Sequence, residues 1–280
     1  MSGAEPRWIG LKAAERPFRE SAEFYAEYRY RPTAAFVRLL ASHLEWSSAD
    51  RVLDLGAGPA HVSILLAQFV GEVVVMDPEE AMIAEGRRRG ATAGLDNLTF
   101  VAGGSSDLPR LSANLGRFAT AVISQAFHWM ADQDRVLRAL DDLLDSDKGA
   151  VALVGYVKEP DYNLAWLDHP PWNQVGAILR RHLSSVPEGP SPAGRHDPFP
   201  EILARSAFSR TELLTCEYDA VLHPSVDAAI GFHYSLGNVL ARLGEQRTAF
   251  ETDVRAALHG ADTAPLTIRL VDSALIGRRP

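Results

Sequence analysis

The sequence predicts an α/β protein: a mostly parallel sheet with helices packed on its faces. Three observations carry that prediction. Val52-Leu53-Asp54-Leu55 runs directly into Gly56-Ala57-Gly58-Pro59-Ala60, an apolar strand ending in a glycine turn that opens a helix. A second apolar run, Glu72-Val73-Val74-Val75-Met76, ends on the acid Asp77 about 20 residues after the turn. Further short apolar runs then alternate with stretches of helical periodicity, as strands covered on both faces should.

The elements follow in order. Strands are expected at Arg51–Leu55, Glu72–Met76, Leu98–Ala102, Ala119–Ser124 and Ala150–Gly155, all short and apolar. Two longer, more nearly alternating strands follow at Leu213–Leu222 and Leu266–Ile276. One helix follows Pro59 and ends near Val70. The next has Asp77 as its N-cap, Pro78 at the first helical position and Glu79 and Glu80 in the first turn, each favoured there. It closes on Arg87-Arg88-Arg89, cations suited to a helix C-terminus. A third spans about Asp132 to Leu144, with Val136, Leu137, Leu140, Leu143 and Leu144 on one face.

Three additions surround this core. Residues 1–48 read as an N-terminal helical lid and 49–155 as the ligand-binding core. Residues 156–210 read as a cap insertion containing Trp166, His169 and Trp172, then a Pro/Gly/Ser-rich stretch from Val186 to Pro200. Residues 211–280 supply the last strands, interrupted by a helical insertion over 224–262 in which Val239, Leu240, Leu243, Phe250, Val254 and Leu258 share a face. Open α/β sheets bind ligands at the carboxyl ends of their strands, so these three pieces are expected over that edge.

Composition narrows the function. The 280 residues are 46% apolar and 23% charged, ordinary for a globular protein with a substantial core. A net charge of −8 without a basic stripe argues against gripping a phosphate backbone, so nucleic acid is not expected as a partner. A single cysteine, Cys216, excludes an intrachain disulfide. The N-terminus carries no basic-then-apolar signal, and no apolar run approaches roughly 18 residues. A cytoplasmic enzyme without a membrane partner is the expectation, as monomer or homodimer.

Gly56 and Gly58 permit a sharp turn and close approach of a ligand. Asp77 is placed to accept from the two hydroxyls of a ribose, so an adenosine-containing ligand is expected; a plain helix cap is the other reading. A dinucleotide site wants glycine at the sixth turn position, where this chain has His61, a side chain too large for that role. Asp54, two residues before the first glycine, suits a ligand carrying positive charge.

The wording L-D-L-G-A-G followed by M-D-P resembles the opening motifs of class I S-adenosylmethionine-dependent methyltransferases. Gly103-Gly104-Ser105-Ser106-Asp107-Leu108-Pro109 is similar to that family's adenine-contacting segment, and Ser124-Gln125-Ala126-Phe127-His128-Trp129-Met130 to the end of its fourth strand. The resemblance implies a Rossmann-like seven-stranded sheet in the order 3-2-1-4-5-7-6 and S-adenosyl-L-methionine as cofactor. It implies that Asp54, Gly56, Ala57 and Gly58 hold the methionyl end, partly through backbone N–H groups. Asp77 then holds the ribose, Pro78, Ser105 and Ser106 the adenine, and Gln125 lies near the methionyl amine. Many relatives carry an acid where this chain has Gly104 or Ser106, and here backbone groups take over that contact.

The N-terminal Tyr25, Tyr28 and Arg31 lie in Y-x-x-Y-R-x-R-P, similar to the family's lid. Tyr28 and Arg31 are expected at the cofactor, by cation–π attraction and by pairing with its carboxylate; packing of an amphipathic helix is the alternative. His128 is the candidate general base, its ordinary pKa lying near neutrality, or else a backbone-bonded structural residue. Trp129, Trp166, His169, Trp172 and His233 are candidates for an aromatic acceptor cavity, or else cap packing. His169 with His196 or His233 lacks metal-ligand spacing, so no metal is expected. The expected reaction is methyl transfer to an oxygen or nitrogen of a small organic acceptor in specialised metabolism. C-methylation of a quinone or lipid precursor, and a noncatalytic S-adenosylmethionine-binding regulator, are the alternatives.

Overall fold

A computed structural model describes residues 18–156, 166–183 and 197–280. The beginning of the lid, much of the cap insertion and His196 lie outside the described residues.

The sheet has seven strands: β1 (Arg51–Leu55), β2 (Glu72–Asp77), β3 (Leu98–Ala102), β4 (Thr120–Ser124), β5 (Ala150–Val154), β6 (Arg210–Leu222) and β7 (Leu266–Arg278). Their order is β3-β2-β1-β4-β5-β7-β6, as expected. β1 to β5 are parallel, and β7 enters antiparallel between β5 and β6. The last two strands are longer than the alternation alone implied, because each extends the other's ladder from Arg210↔Arg278 to Leu222↔Leu266.

Alternate side chains of each inner strand feed two cores. Leu53, Leu55, Val74 and Met76 pack with α5 (Leu108–Leu115), α6 (Gln133–Leu143) and α8 (Phe199–Ala204). Val52, Val73 and Val75 pack on the opposite face with α2 (Ala34–His43) and α3 (His61–Leu66). Asp132 caps α6, its carboxylate accepting from the Arg135 N–H at 2.9 Å. α4 (Glu80–Thr92) begins later than the sequence implied, with Glu79 as its N-cap rather than Asp77. Asp77 is held back at the strand end by other contacts, described below.

A third core is mostly helical, with Leu222 at the end of β6 joining it. α7 (Gln174–Leu183), α9 (Val226–Tyr234), α10 (Val239–Leu243) and α11 (Arg247–Ala257) enclose Trp172, Tyr234 and Phe250. The apolar face read from the 224–262 insertion is buried here. α1 (Ala22–Tyr28), the lid helix, lies against α9 and α4.

One buried carboxylate fastens the lid to the sheet. Asp272 of β7 has no solvent exposure and accepts from the Tyr30 hydroxyl at 2.6 Å, the Thr33 N–H at 2.8 Å and the Thr33 hydroxyl at 2.6 Å. Thr33 in turn caps α2, its Oγ1 accepting from the Phe36 N–H. Asp272→Ala strands three donors at once and should cost about 2 to 4 kcal/mol in urea unfolding. A loss below 0.5 kcal/mol by that measurement would show the tether to be dispensable.

Candidate cofactor site

A cavity of about 840 Å³, open to solvent, lies at the carboxyl ends of β1, β2 and β4. Its floor is the glycine turn after β1 and Asp77 at the end of β2. Pro78, Glu79 and Met82 form one side, and Gly104, Ser105, Ser106 and Asp107 another. Ser124, Gln125, Ala126, Trp129 and Met130 follow β4, while Phe18 and Tyr25 come from the lid.

Asp77 organises the floor. Its Oδ2 accepts from the Gly58 N–H and its Oδ1 from the Glu79 N–H, both at 2.8 Å. Each oxygen keeps a further lone pair for a ligand hydroxyl. Burial pushes its pKa up to about 6 against the lowering effect of those two bonds. Asp54, with no exposure, lies beneath the turn rather than on the cavity surface. Its Oδ2 accepts from the Ser63 hydroxyl at 2.5 Å, and its Oδ1 is buried without a hydrogen bond. Burial pushes the Asp54 pKa up to about 7, the Ser63 bond opposes this, and Asp77 adds to it.

The turn's backbone is spent internally. Met76 O accepts from the Gly56 N–H at 2.8 Å and from the Ala57 N–H at 3.1 Å. With the Gly58 N–H held by Asp77, the expected use of these donors for a methionyl end is corrected, and Ala57 does not line the cavity. Gly56 has φ +73° and a Cβ there would sit 2.6 Å from Ala126 Cβ, so the turn admits no side chain. On the other side, Gln125 takes φ +52° and its Nε2 donates to Gly155 O at 2.8 Å, which fixes the loop after β4. Asp107 turns inward to accept from the Gly104 N–H at 2.9 Å, leaving Ser105 and Ser106 on the wall.

The structure therefore brings together Gly56, Gly58, Asp77, Pro78, Ser105, Ser106, Gln125 and Trp129 of the sequence-predicted residues. Tyr28 and Arg31 stand elsewhere, in a second cavity. Three residues along α1, the side chain of Tyr28 turns to α9, while Tyr25 faces the glycine turn. Arg31 donates to the carbonyls of Ala26 and Glu27 at 2.6 and 3.0 Å. His128 lies on a 3-10 turn with its ring 5.6 Å from that of Trp129, outside the cavity lining.

The acceptor candidates divide in the same way. Trp166 and Trp172 pack edge to face, centroids 5.1 Å apart, in the helical core; only Trp166 also reaches the second cavity. His169 is exposed. His233 is buried, donates from Nδ1 to Ala229 O at 2.7 Å, and has its pKa lowered by burial. None of His169, Trp172 and His233 lines either cavity.

Phe18, Tyr25 and His61 complete the site. Phe18 meets both Tyr25 and Trp129 edge to face, at 5.7 and 5.3 Å, and so closes the rim with aromatic surface. His61 donates from Nε2 to Ala26 O at 3.0 Å and stacks on Tyr25, which clasps the lid to α3. Burial pushes its pKa down to about 3, so the ring is neutral. Phe18 has no sequence signal beyond being aromatic and N-terminal to Tyr25.

The residues fit S-adenosylmethionine. A buried, unpartnered Asp54 oxygen beneath the turn awaits positive charge, Asp77 offers two acceptors beside it, and a glycine-lined floor leaves room above. Asp77 would hold the ribose, and Pro78, Ser105 and Ser106 the adenine. Among the described residues no group of His, Cys, Asp and Glu could hold a metal, and no helix is long and apolar enough to cross a membrane.

Comparison with known proteins agrees. Residues 52–147 match a family model described as a methyltransferase domain. An uncharacterized methyltransferase, YcgJ of Bacillus subtilis, is 25% identical over 147 residues, 52% of this chain and 56% of that protein. A protein-L-isoaspartate O-methyltransferase of Roseiflexus castenholzii is 28% identical over 128 residues, 45% of this chain and 57% of that one. The chain thus spans little more than half the length of these curated relatives. The crystal structure of YcgJ superposes with a TM-score of 0.50, covering 89% of this chain and all of that one at 16% identity, a likeness of fold.

The raised Asp54 pKa has a measurable sign. The folded protein holds this proton up to about pH 7, while the unfolded chain releases it near 3.8, so the associated stability is present at low pH and lost as pH rises through 7. Asp54→Asn removes the buried charge and keeps an acceptor for Ser63. The ligand-free variant should be more stable than the parent at pH 8, by on the order of 2 to 4 kcal/mol, with the gain shrinking toward pH 5. Thermal melts showing a gain independent of pH would place the effect in packing rather than charge.

Proposed function

From residues 52–147, which match a methyltransferase domain, and the cofactor cavity built on them, we propose that the whole chain is an S-adenosylmethionine-dependent enzyme of small-molecule methylation. It moves the methyl group of S-adenosylmethionine to an oxygen or nitrogen of a small organic acceptor in specialised metabolism. The observation that carries the reading is the cavity floored by Asp77 and Gly58 and roofed by the lid aromatics. The net charge of −8 and the helical cap beside the lid support a small acceptor over a nucleic acid.

The bound cofactor supplies an electrophilic methyl on a sulfonium. The protein's share is alignment, exclusion of water and charge. Asp77 and the turn fix one end, and the loop held by Gln125 fixes the wall after β4. Phe18, Tyr25 and Trp129 shut the rim with aromatic surface, which keeps water off the reacting atoms and places π-faces toward positive charge. Holding nucleophile and methyl in line accounts for much of the acceleration in such a displacement. His128 stands outside this lining, so proton removal by its imidazole is not required by the geometry.

Two measurements test the reading. Asp77→Ala should weaken S-adenosylhomocysteine binding in calorimetric titration by roughly ten- to hundredfold, the worth of hydrogen bonds to a charged acceptor. An unchanged dissociation constant would remove Asp77 from the site. In the parent, affinity should fall as pH drops below about 6, where Asp77 gains its proton.

The second concerns turnover. His128→Ala should lower the methylation rate by less than about tenfold, whereas a general base would be worth about 10² or more. A larger loss with unchanged cofactor affinity would restore His128 as the proton acceptor.

A further inference from the structure

The second cavity lies across the lid helix from the first and opens to solvent; its interior room of about 350 Å³ falls at the low end of the range of ligand sites. Tyr28, Trp166 and Phe232 give it aromatic walls. Two guanidinium groups, Arg29 and Arg31, line it beside a single carboxylate, Glu27. Asp227, which lies near Tyr28, is engaged by Arg255 at 2.7 Å.

Arg29 is the informative residue. Its guanidinium sits 5.3 Å from the Tyr25 ring centroid and 5.5 Å from that of Phe232. No carboxylate or carbonyl among the described residues accepts a hydrogen bond from it, whereas Arg31 donates to two backbone carbonyls. Two ring faces hold a half-buried cation in place, and among the described residues its donor edge is unused. A planar fork of donors on an aromatic wall is the arrangement that recognises a carboxylate on a flat organic body. The ring beneath Arg29, Tyr25, lines the cofactor cavity, so the Tyr25 and Arg29 side chains stand between the two cavities.

We infer that the second cavity is a ligand site separate from the cofactor cavity, and that it takes a planar organic carboxylate whose anion binds Arg29 and whose ring packs among Tyr28, Trp166 and Phe232. This binding does not rest on the reading of the protein as a small-molecule methyltransferase.

The probe pair 2-naphthoate and 2-naphthamide tests it, since the two share a ring system and differ in charge. Tryptophan fluorescence titration of the full chain should show naphthoate binding at least about tenfold tighter, with the difference shrinking as salt rises. Arg29→Gln should abolish the preference while leaving naphthamide affinity and S-adenosylhomocysteine affinity within about threefold, and Arg29→Lys should restore part of it. Equal affinity for the two probes in the parent, no binding of either, or an undiminished preference in Arg29→Gln would overturn the inference. So would competition between naphthoate and S-adenosylhomocysteine, which would place the anion in the first cavity. The parent comparison stands even if Arg29→Gln fails to fold. Calorimetry with S-adenosylhomocysteine separates the two readings: its binding without naphthoate discrimination sinks only the anion subsite, and its absence sinks the methyltransferase reading alone.

Discussion

The site depends on one carboxylate bridging two turns. Asp77 ends β2, and its two oxygens take one N–H from the glycine turn after β1 and one from the residue that starts α4. Met76 O, the preceding carbonyl, takes two more from the same turn. Neighbouring parallel strands are thereby locked at the point where their helices diverge, and the gap between those helices is the cavity. Pro78 and Gly104 approach closely above it, a Cβ on Gly104 being 3.4 Å from Pro78 Cβ, so the adenine-side wall inherits its position from the same bridge.

That bridge is electrostatically expensive, and the expense has a use. Asp54 and Asp77 are both buried, burial raises the cost of ionising each, and Asp77 adds to that cost at Asp54. Nearby His61 is held neutral by the same desolvation acting with opposite sign. The protein thus keeps two acids reluctant to ionise, and among the described residues no cation pairs with either. A positively charged ligand relieves that reluctance, and its binding below about pH 7 is coupled to release of a proton.

The sheet and the cofactor floor were legible because their signals are local. A glycine turn after an apolar strand and an acid at the end of the next strand mark backbone geometry that few other residues provide. The lid was legible as an element but not in its rotation. Tyr25 and Tyr28 have the same chemistry, and only the docking of α1 on α9 decides which one faces the turn. The turn N–H groups were assigned to a ligand because sequence does not reveal that Met76 O accepts two of them. Trp166 and Trp172 illustrate a general ambiguity: aromatic residues in a helical insertion have the same spacing whether they line a cavity or fill a core. Arg29 carries no sequence signal, since its significance lies in the ring faces that hold it, and the Phe232 face is supplied only by the docking of α1 on α9.

The contact between lid and cap is made by subtraction. A Cβ at Gly231 would overlap the Tyr28 ring, so α1 reaches α9 only through the missing side chain. Positions 28 and 231 therefore form one unit of inheritance: a cap transplanted from a relative brings its own residue at 231, and any side chain there evicts the native lid. Diversification of acceptor choice by exchanging caps is confined to exchanges that carry both partners, and a chimaera that ignores this will lose cofactor enclosure before it gains a new substrate.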